Sequence, residues 1–392
     1  MRATYIPRAI QPSVKDAGTH FPVIILTGPR QTGKSTLLRH LYPKATVYDL
    51  DDLRLRDAAL KDPVGFIDSL QTPAILDEIQ YAPGLLPYIK IAVDRRRHEG
   101  VLFLLTGSQM FSLMAGVSES LAGRAAIFEL LALSWEEIGA PPHAAKDCYR
   151  AILKGFYPDV VAHGIPVDPF YDGYLKTYVE RDIRQIQAIH DLSAFQAFLQ
   201  LLAARAGALL NLSDLARDCG ISQPTARQWL SLLESTRMVY LLKPYFRNLS
   251  KRVVKRPKVY FTDTGLLCHL LRYPSGDSLA AGPMSGAVLE NMIIMDIFKR
   301  KLNHSQRFDL FFYRDSNDQE IDLVLDHGRS FELLEIKQTQ SPSLGMIPAL
   351  VHAPKVFQHP VRKVLCLARE AFPLNREITA IPWWSYKPAE PH

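Results

Sequence analysis

The chain has 392 residues, 47% hydrophobic and 22% charged, with a formal net charge of +6. That balance excludes a disordered or fibrous chain, and at ~100–200 residues per domain it predicts two to four globular domains. The mild basic excess is compatible with a polyanionic partner but does not require one. The four cysteines, Cys148, Cys219, Cys268 and Cys366, are far apart. Neither a disulfide framework nor a zinc site is expected from such spacing. The opening MRATYIPRAIQP lacks the apolar core of a signal peptide, and no run of about 18 apolar residues occurs. A reducing cytoplasm and no membrane partner are therefore expected.

Residues 1–20 read as a short helical arm. Five apolar runs then alternate with helical stretches: Val23–Leu26, Thr46–Leu50, Ala74–Leu76, Val101–Thr106 and Ala125–Leu130. This pattern predicts a parallel sheet covered on both faces. Residues 134–190 read as a helical lid, interrupted at Pro141, Pro142 and between Pro158 and Pro169. Residues 191–262 carry helices followed by a basic, β-like stretch. From residue 263 to 392, a helix at Ser285–Leu302 precedes strands at Leu310–Tyr313, Ile321–Leu325, Phe331–Ile336 and Val364–Leu367. The expected fold class is α/β, with domain boundaries at 133, 190 and 262.

Thr27-Gly28-Pro29-Arg30-Gln31-Thr32-Gly33-Lys34-Ser35-Thr36 fits the Walker A pattern. It follows an apolar strand and opens a helix, as a P-loop must. Glycines let the backbone wrap phosphate oxygens, and the helix N-terminus adds N–H donors and a favourable dipole. The residues from Gly28 to Thr36 are the expected nucleotide-binding set, with Lys34 on the β- and γ-phosphates and Ser35 on Mg²⁺. Pro73-Ala74-Ile75-Leu76-Asp77-Glu78 is an apolar strand ending in two acids. Asp77 is the expected Mg²⁺ holder, and Glu78 the residue that orients or deprotonates water. Ser108 and Gln109, at the end of the next strand, are candidates for sensing the γ-phosphate. Arg124, in Ser120-Leu121-Ala122-Gly123-Arg124, suits a developing γ-phosphate charge in a neighbouring copy.

These motifs stand in the order of an AAA-type ATPase. With GPRQTGKSTLLRHL, AILDEIQ, LTGSQ, SLAGR and YVERDI, the chain resembles the prokaryotic AAA-type ATPases that carry a C-terminal domain of unknown function with a nuclease-like fold. The resemblance covers nearly the whole chain and implies a fold and an ATPase more than a pathway. It implies an ATPase core at 1–133 with its lid at 134–190, and Arg181 in that lid stands within reach of nucleotide or of a structural salt bridge.

Leu212 to Ser222 has a helix-turn-helix rhythm, with Ser213 and Ser222 as caps and Gly220 as the stop. Leu215, Ala216, Ile221, Ala226, Leu230 and Leu233 would form its small core. Gln223, Thr225, Arg227 and Gln228 would then stand at the start of a recognition helix. Lys243, Arg247, Lys251, Arg252, Lys255, Arg256 and Lys258 follow with no acid until Asp263, and Tyr245 and Phe246 are interleaved. A wing of this charge would hold phosphates in a salt-dependent way. Protein contact alone is the competing use of such a winged helix.

In the last part, Asp322 precedes Glu335-Ile336-Lys337 on the following strand, and Glu290 lies on the preceding helix. Alternation points Glu335 and Lys337 to one face. An Asp followed by E-x-K is the core of a PD-(D/E)XK nuclease, with Glu290, Asp322 and Glu335 binding Mg²⁺ and Lys337 acting on water. The competing expectation is a nuclease fold retained as a binding module. Trp383 and Trp384 are expected to pack internally. The function expected is an ATP- and Mg²⁺-dependent ATPase acting as a DNA-binding motor or switch. It would assemble with copies of itself and engage branched or duplex DNA. The alternatives are a signalling ATPase whose C-terminal half binds protein, and an ATP-gated DNA nuclease.

Overall fold

The computed structural model describes residues 5–96, 99–108, 120–139, 145–177, 191–245 and 256–389. A helix α1 (Gln11–His20) leads into a sheet of β1 (Val23–Thr27), β2 (Thr46–Asp49), β3 (Ala74–Asp77), β4 (Phe103–Gly107) and β5 (Ala125–Glu129). The strand order is β2-β3-β4-β1-β5, and each pair is parallel. Between the strands run α2 (Lys34–Leu41), α3 (Leu53–Lys61), α4 (Pro63–Ser69) and α5 (Leu86–Arg95). β1, β3 and β4 are buried at every position, as strands covered on both faces must be. The breaks between helices follow local chemistry: Asp52 and Asp62 accept the first free N–H groups of α3 and α4, and Pro63 opens α4. Because the strands are parallel, their C-terminal ends share one edge. That edge carries the P-loop after β1, Asp77 at the end of β3 and Ser108 after β4.

Beyond the sheet come α6 (Trp135–Ile138), α7 (Ala145–Lys154), α8 (Pro158–His163), α9 (Val167–Thr177), α10 (Leu192–Ala203), α11 (Leu212–Asp218) and α12 (Gln223–Ser235). A hairpin of β6 (Val239–Pro244) and β7 (Lys258–Phe261) follows, then α13 (Thr264–Leu270), α14 (Gly276–Ala281) and α15 (Ser285–Asn303). The last part contains β8 (Asp309–Arg314), β9 (Glu320–Asp326), β10 (Phe331–Lys337), α16 (Pro348–Val351), β11 (Val361–Cys366), β12 (Phe372–Pro373) and β13 (Ile378–Pro382). These strands build one eight-stranded mixed sheet in the order β12-β13-β11-β10-β9-β8-β6-β7.

That order joins regions the sequence keeps apart. β6 lies parallel to β8, so the hairpin expected to close a separate winged unit continues into the C-terminal sheet. A two-stranded hairpin is marginal alone, and pairing also covers the β8 edge. The helices after the ATPase sheet are not packed as an isolated lid either. One apolar core runs from Leu131 through Tyr171, Phe195, Trp229 and Ile294 to Trp383 and Tyr386. Trp383 is buried and packs edge-on to Trp135, with ring centroids 4.7 Å apart. The four cysteines, all described, are free thiols. Among the described residues no helix is long and apolar enough to cross a membrane.

Candidate functional site

The P-loop connects β1 to α2 through a backbone that few residues tolerate. Gly28 has φ +136°, and a Cβ there would stand 2.1 Å from the Leu130 carbonyl oxygen. Gly33 caps α2 in the left-handed region at φ +85°. Gln31, Thr32, Gly33, Lys34, Ser35 and Thr36 line a cavity of about 410 Å³. Glu78 faces it from β3, and Pro158, Asp159 and His163 close it from α8. Arg30 reaches across to the Tyr81 hydroxyl at 3.1 Å.

Lys34 is buried and donates to the carbonyls of Gly28 (2.9 Å) and Pro29 (2.7 Å). The ammonium is folded onto the loop that a triphosphate would occupy. Ser35 donates to Asp77 at 2.7 Å, and the Thr106 hydroxyl donates to the same Asp77 oxygen. A serine hydroxyl beside a carboxylate, at the mouth of a phosphate loop, is a donor set that fits Mg²⁺ brought in with a nucleotide.

Glu78 sits in the left-handed region at φ 56°, turned off the end of its strand. Its backbone N–H donates to Thr106 Oγ1 at 3.1 Å. Its carboxylate accepts from Gln80 and from the Ser108 hydroxyl (3.1 Å), and Gln80 also donates to Ser108 (3.1 Å). Burial pushes the Glu78 carboxyl up, but Lys34, Gln80, Arg30 and Ser108 outweigh it and hold it below the usual glutamate range. The group is thus kept as a charged acceptor in a partly closed site.

Two parts of this site do not stand out in the sequence. Gln80 is one, in the phrase Asp77-Glu78-Ile79-Gln80. Arg8 is the other. It is buried, donates to the carbonyls of Thr32 (2.7 Å) and Leu131 (2.8 Å), and pairs with Glu137 at 3.0 Å. Glu137 also accepts the Ser134 N–H in a capping box on α6. A basic residue just ahead of an arm helix is the only trace this clamp leaves in the sequence.

Arg124 lies elsewhere. It precedes Ala125, which pairs with Val23 at the opposite end of the sheet from the P-loop. Four strand steps of ~3.3 Å place it roughly 13 Å or more from its own phosphate site. There it forms an exposed bidentate pair with Asp94, at 2.7 and 3.0 Å. Gln109 and Arg181 lie outside the described residues.

The helix-turn-helix segment forms α11 and α12. Asn211, rather than Ser213, caps α11, accepting the Ser213 and Asp214 N–H groups. Ser222 caps α12, and Gly220 has φ 67° at the turn. Leu215, Ala216, Ala226, Leu230 and Leu233 are buried, Ile221 is half-buried, and Trp229 packs against Phe195 and Phe198. Gln223 and Arg227 are exposed at the start of α12, whereas the Thr225 hydroxyl is shared with Ser222 at 2.7 Å. Arg256 is exposed. Arg247, Lys251, Arg252 and Lys255 lie outside the described residues. Two members of the basic stretch have other uses. Lys258 is buried, and Tyr245 packs on Phe311, Phe331 and Phe357.

In the C-terminal sheet Glu290, Asp322, Glu335 and Lys337 do come together. Asp322 accepts the Ile336 N–H at 2.8 Å, and Lys337 pairs with Glu335 at 2.7 Å. Glu290 accepts from the Tyr260 hydroxyl at 2.6 Å and pairs with Lys258 at 3.2 Å. Burial and the neighbouring Asp322 push the carboxyls of Glu290 and Glu335 up, against the pull of the two lysines. Among the described residues, no group of three or more His, Cys, Asp or Glu side chains is arranged to hold a metal ion.

The five-stranded parallel sheet, P-loop and acidic strand end define a P-loop ATPase of the AAA type. Residues 20–139 match the family model described as an AAA domain. Residues 145–277 match a domain of unknown function, DUF8612, and residues 285–386 match another, DUF4143. Two mycobacterial proteins, Rv2008c of Mycobacterium tuberculosis and Mb2031c of Mycobacterium bovis, are each 33% identical over 367 residues, covering 92% of this chain and 80% of theirs. The Walker-type ATPase PABY2304 of Pyrococcus abyssi aligns with a TM-score of 0.49 at 16% identity, over 69% of this chain and 97% of that one. The chain belongs to the prokaryotic AAA-type ATPases that carry a C-terminal DUF4143 domain.

Proposed function

We propose that this protein hydrolyses ATP with Mg²⁺ and uses the cycle to switch its grip on DNA. The observation that carries the hydrolysis is the Glu78 carboxylate, held by Gln80 and Ser108 on the wall of the cavity that Lys34 and Ser35 also line. On binding, Lys34 would leave the Gly28 and Pro29 carbonyls for the phosphates, and the loop N–H groups would replace water around them. Ser35 and Asp77 would hold Mg²⁺, which supplies charge neutralisation to the phosphate oxygens. Glu78 would orient the attacking water and accept its proton.

Arg124 would complete the site of a neighbouring copy. Its distance from its own P-loop and its exposed pairing with Asp94 support an action in trans. The DNA reading is supported by exposed Gln223, Arg227 and Arg256 beside a basic stretch. The C-terminal order of a helix, three antiparallel strands, a short helix and a parallel strand supports a nuclease-like fold, which we take as a binding module. ATPase rate should be measured with and without branched, duplex and single-stranded DNA at two salt concentrations. Stimulation that falls steeply with salt supports the reading. No DNA binding at low salt removes it and leaves the protein-binding, signalling reading.

A further inference from the structure

The carboxylates of the C-terminal sheet already have a cation among them, and it comes from another part of the chain. Lys258 opens β7, the second strand of the hairpin, and its side chain is 4% exposed. Its Nζ lies 3.2 Å from Glu290 Oε1 and 2.6 Å from Glu320 Oε1. Two residues on, and so on the same strand face, Tyr260 donates its hydroxyl to that same Glu290 oxygen at 2.6 Å. β7 thus aims two successive side chains at one carboxylate of α15.

Four carboxylates converge on this spot from three elements: Glu290 of α15, Glu320 and Asp322 of β9, and Glu335 of β10. Glu335 is 6% exposed, and its Oε2 is buried with no partner among the described residues. Lys337 pairs with Glu335 at 2.7 Å and Arg314 with Glu320 at 2.9 Å, so the buried charge left to be balanced is chiefly that of Glu290 and Asp322, which is untenable without a further positive centre. A hard divalent ion is one solution, drawing oxygens to within about 2.0–2.6 Å. An ammonium is another, and here its Nζ stands 3.2 Å from Glu290 and 2.6 Å from Glu320. Among the described residues no group of side chains is arranged to hold a metal ion, and the ammonium stands among the carboxylates instead. Burial works against the charge on Lys258, but Glu290, Asp322 and Glu320 together raise its pKa above the ordinary lysine value.

We propose that Lys258 is a built-in counter-ion that fills the cation position of this carboxylate cluster. The acidic site is then a lock between the wing hairpin and α15, and it accepts a divalent cation such as Mg²⁺ or Mn²⁺ only when the lysine is withdrawn. The inference is independent of the ATPase chemistry, and it rests on the nuclease-like reading only for the kind of cation the site would take.

The test is Mn²⁺ binding by electron paramagnetic resonance on the full chain without nucleotide. Lys34→Ala should be present in every variant, so that the P-loop is out of play. The chain with Lys258 intact should show no tight Mn²⁺ site. Lys258→Met keeps the stem and removes the charge, and it should gain one site at least ~10-fold tighter. Glu290→Gln added to Lys258→Met should abolish the gain. Melting of Lys258→Met should rise with Mn²⁺, and that of the Lys258 chain should not. If Lys258→Met folds only when Mn²⁺ is supplied, the substitution of one cation for the other is shown directly. The proposal is overturned by a tight site in the Lys258 chain that Glu290→Gln removes. It is equally overturned if folded Lys258→Met binds no Mn²⁺, or if that variant fails to fold with and without Mn²⁺.

Discussion

Arg8→Met probes the link between the arm and the P-loop. Arg8 and Glu137 have side-chain exposures of 4% and 1%, so their pairing belongs to the buried regime, where removing one partner costs about 3–5 kcal/mol. Glu137 keeps the N–H groups of Ser134 and Ala9, at 2.7 and 2.8 Å, which sets the expected loss near the lower end, about 3 kcal/mol. Adding Glu137→Gln removes the stranded charge. The double variant should therefore be more stable than the sum of the single losses, by about 1–3 kcal/mol. Arg8 also holds the Thr32 carbonyl at 2.7 Å, so the loop that wraps phosphate loses its tether. ATP affinity should weaken roughly tenfold, or about 1.4 kcal/mol. Denaturant melts of the four chains, with fluorescent-nucleotide titrations of each, measure both effects. An Arg8→Met chain within ~0.5 kcal/mol of the parent with unchanged ATP affinity would refute the reasoning.

Gly28→Ala should both weaken nucleotide binding and lower the melt, because its Cβ would meet the Leu130 carbonyl oxygen in a backbone conformation that side chains rarely adopt, and an equilibrium titration beside a thermal melt reads the two losses. Arg237→Ala removes the partner of Glu129, whose side chain is 8% exposed, so the melt should drop by several degrees while Arg237→Lys recovers part of it. Glu78, held below the usual glutamate range, should give hydrolysis that is flat through neutral pH and fails only as pH falls below about 4.3. The lowered Glu137 carboxyl has the same sign. Its contribution to stability is present above ~4.3 and is lost as pH falls through the folded value, which acid melts would register. Arg124→Ala should lower hydrolysis at high protein concentration and leave ATP affinity unchanged. A wild-type rate strictly first order in protein down to dilute monomer would exclude its action on a neighbour.

The P-loop, Asp77 and Glu78 are legible in the sequence because phosphate binding demands glycines, a lysine and a strand end at fixed spacing. β1, β3 and β4 are legible because burial on both faces leaves continuous apolar runs, while the edge strands β2 and β5 are only partly buried and are read from their place in the alternation with helices. Arg8, Gln80 and Lys258 are not, because each works through a partner that the fold brings from another element: Leu131 and Glu137 for Arg8, Ser108 for Gln80, Glu290 and Glu320 for Lys258. Lys258 is instructive: its neighbours in sequence are basic, so charge alone assigns it to the wing, while its partners lie on α15 and β9. The Asn211 cap was hidden by Ser213, an equally good capping residue two positions on. The fusion of the hairpin with the C-terminal sheet depends on a long-range pairing of β6 with β8 that no local pattern encodes.

Under the proposed function, Glu78 activates water on a nucleotide held by the P-loop. Single-turnover hydrolysis and ATP binding in Glu78→Gln test it most directly. ATP affinity should stay close to the parent's, with hydrolysis slowed by about 10²–10⁴-fold and ATP trapped on the protein. Hydrolysis at the parental rate in that variant would contradict it.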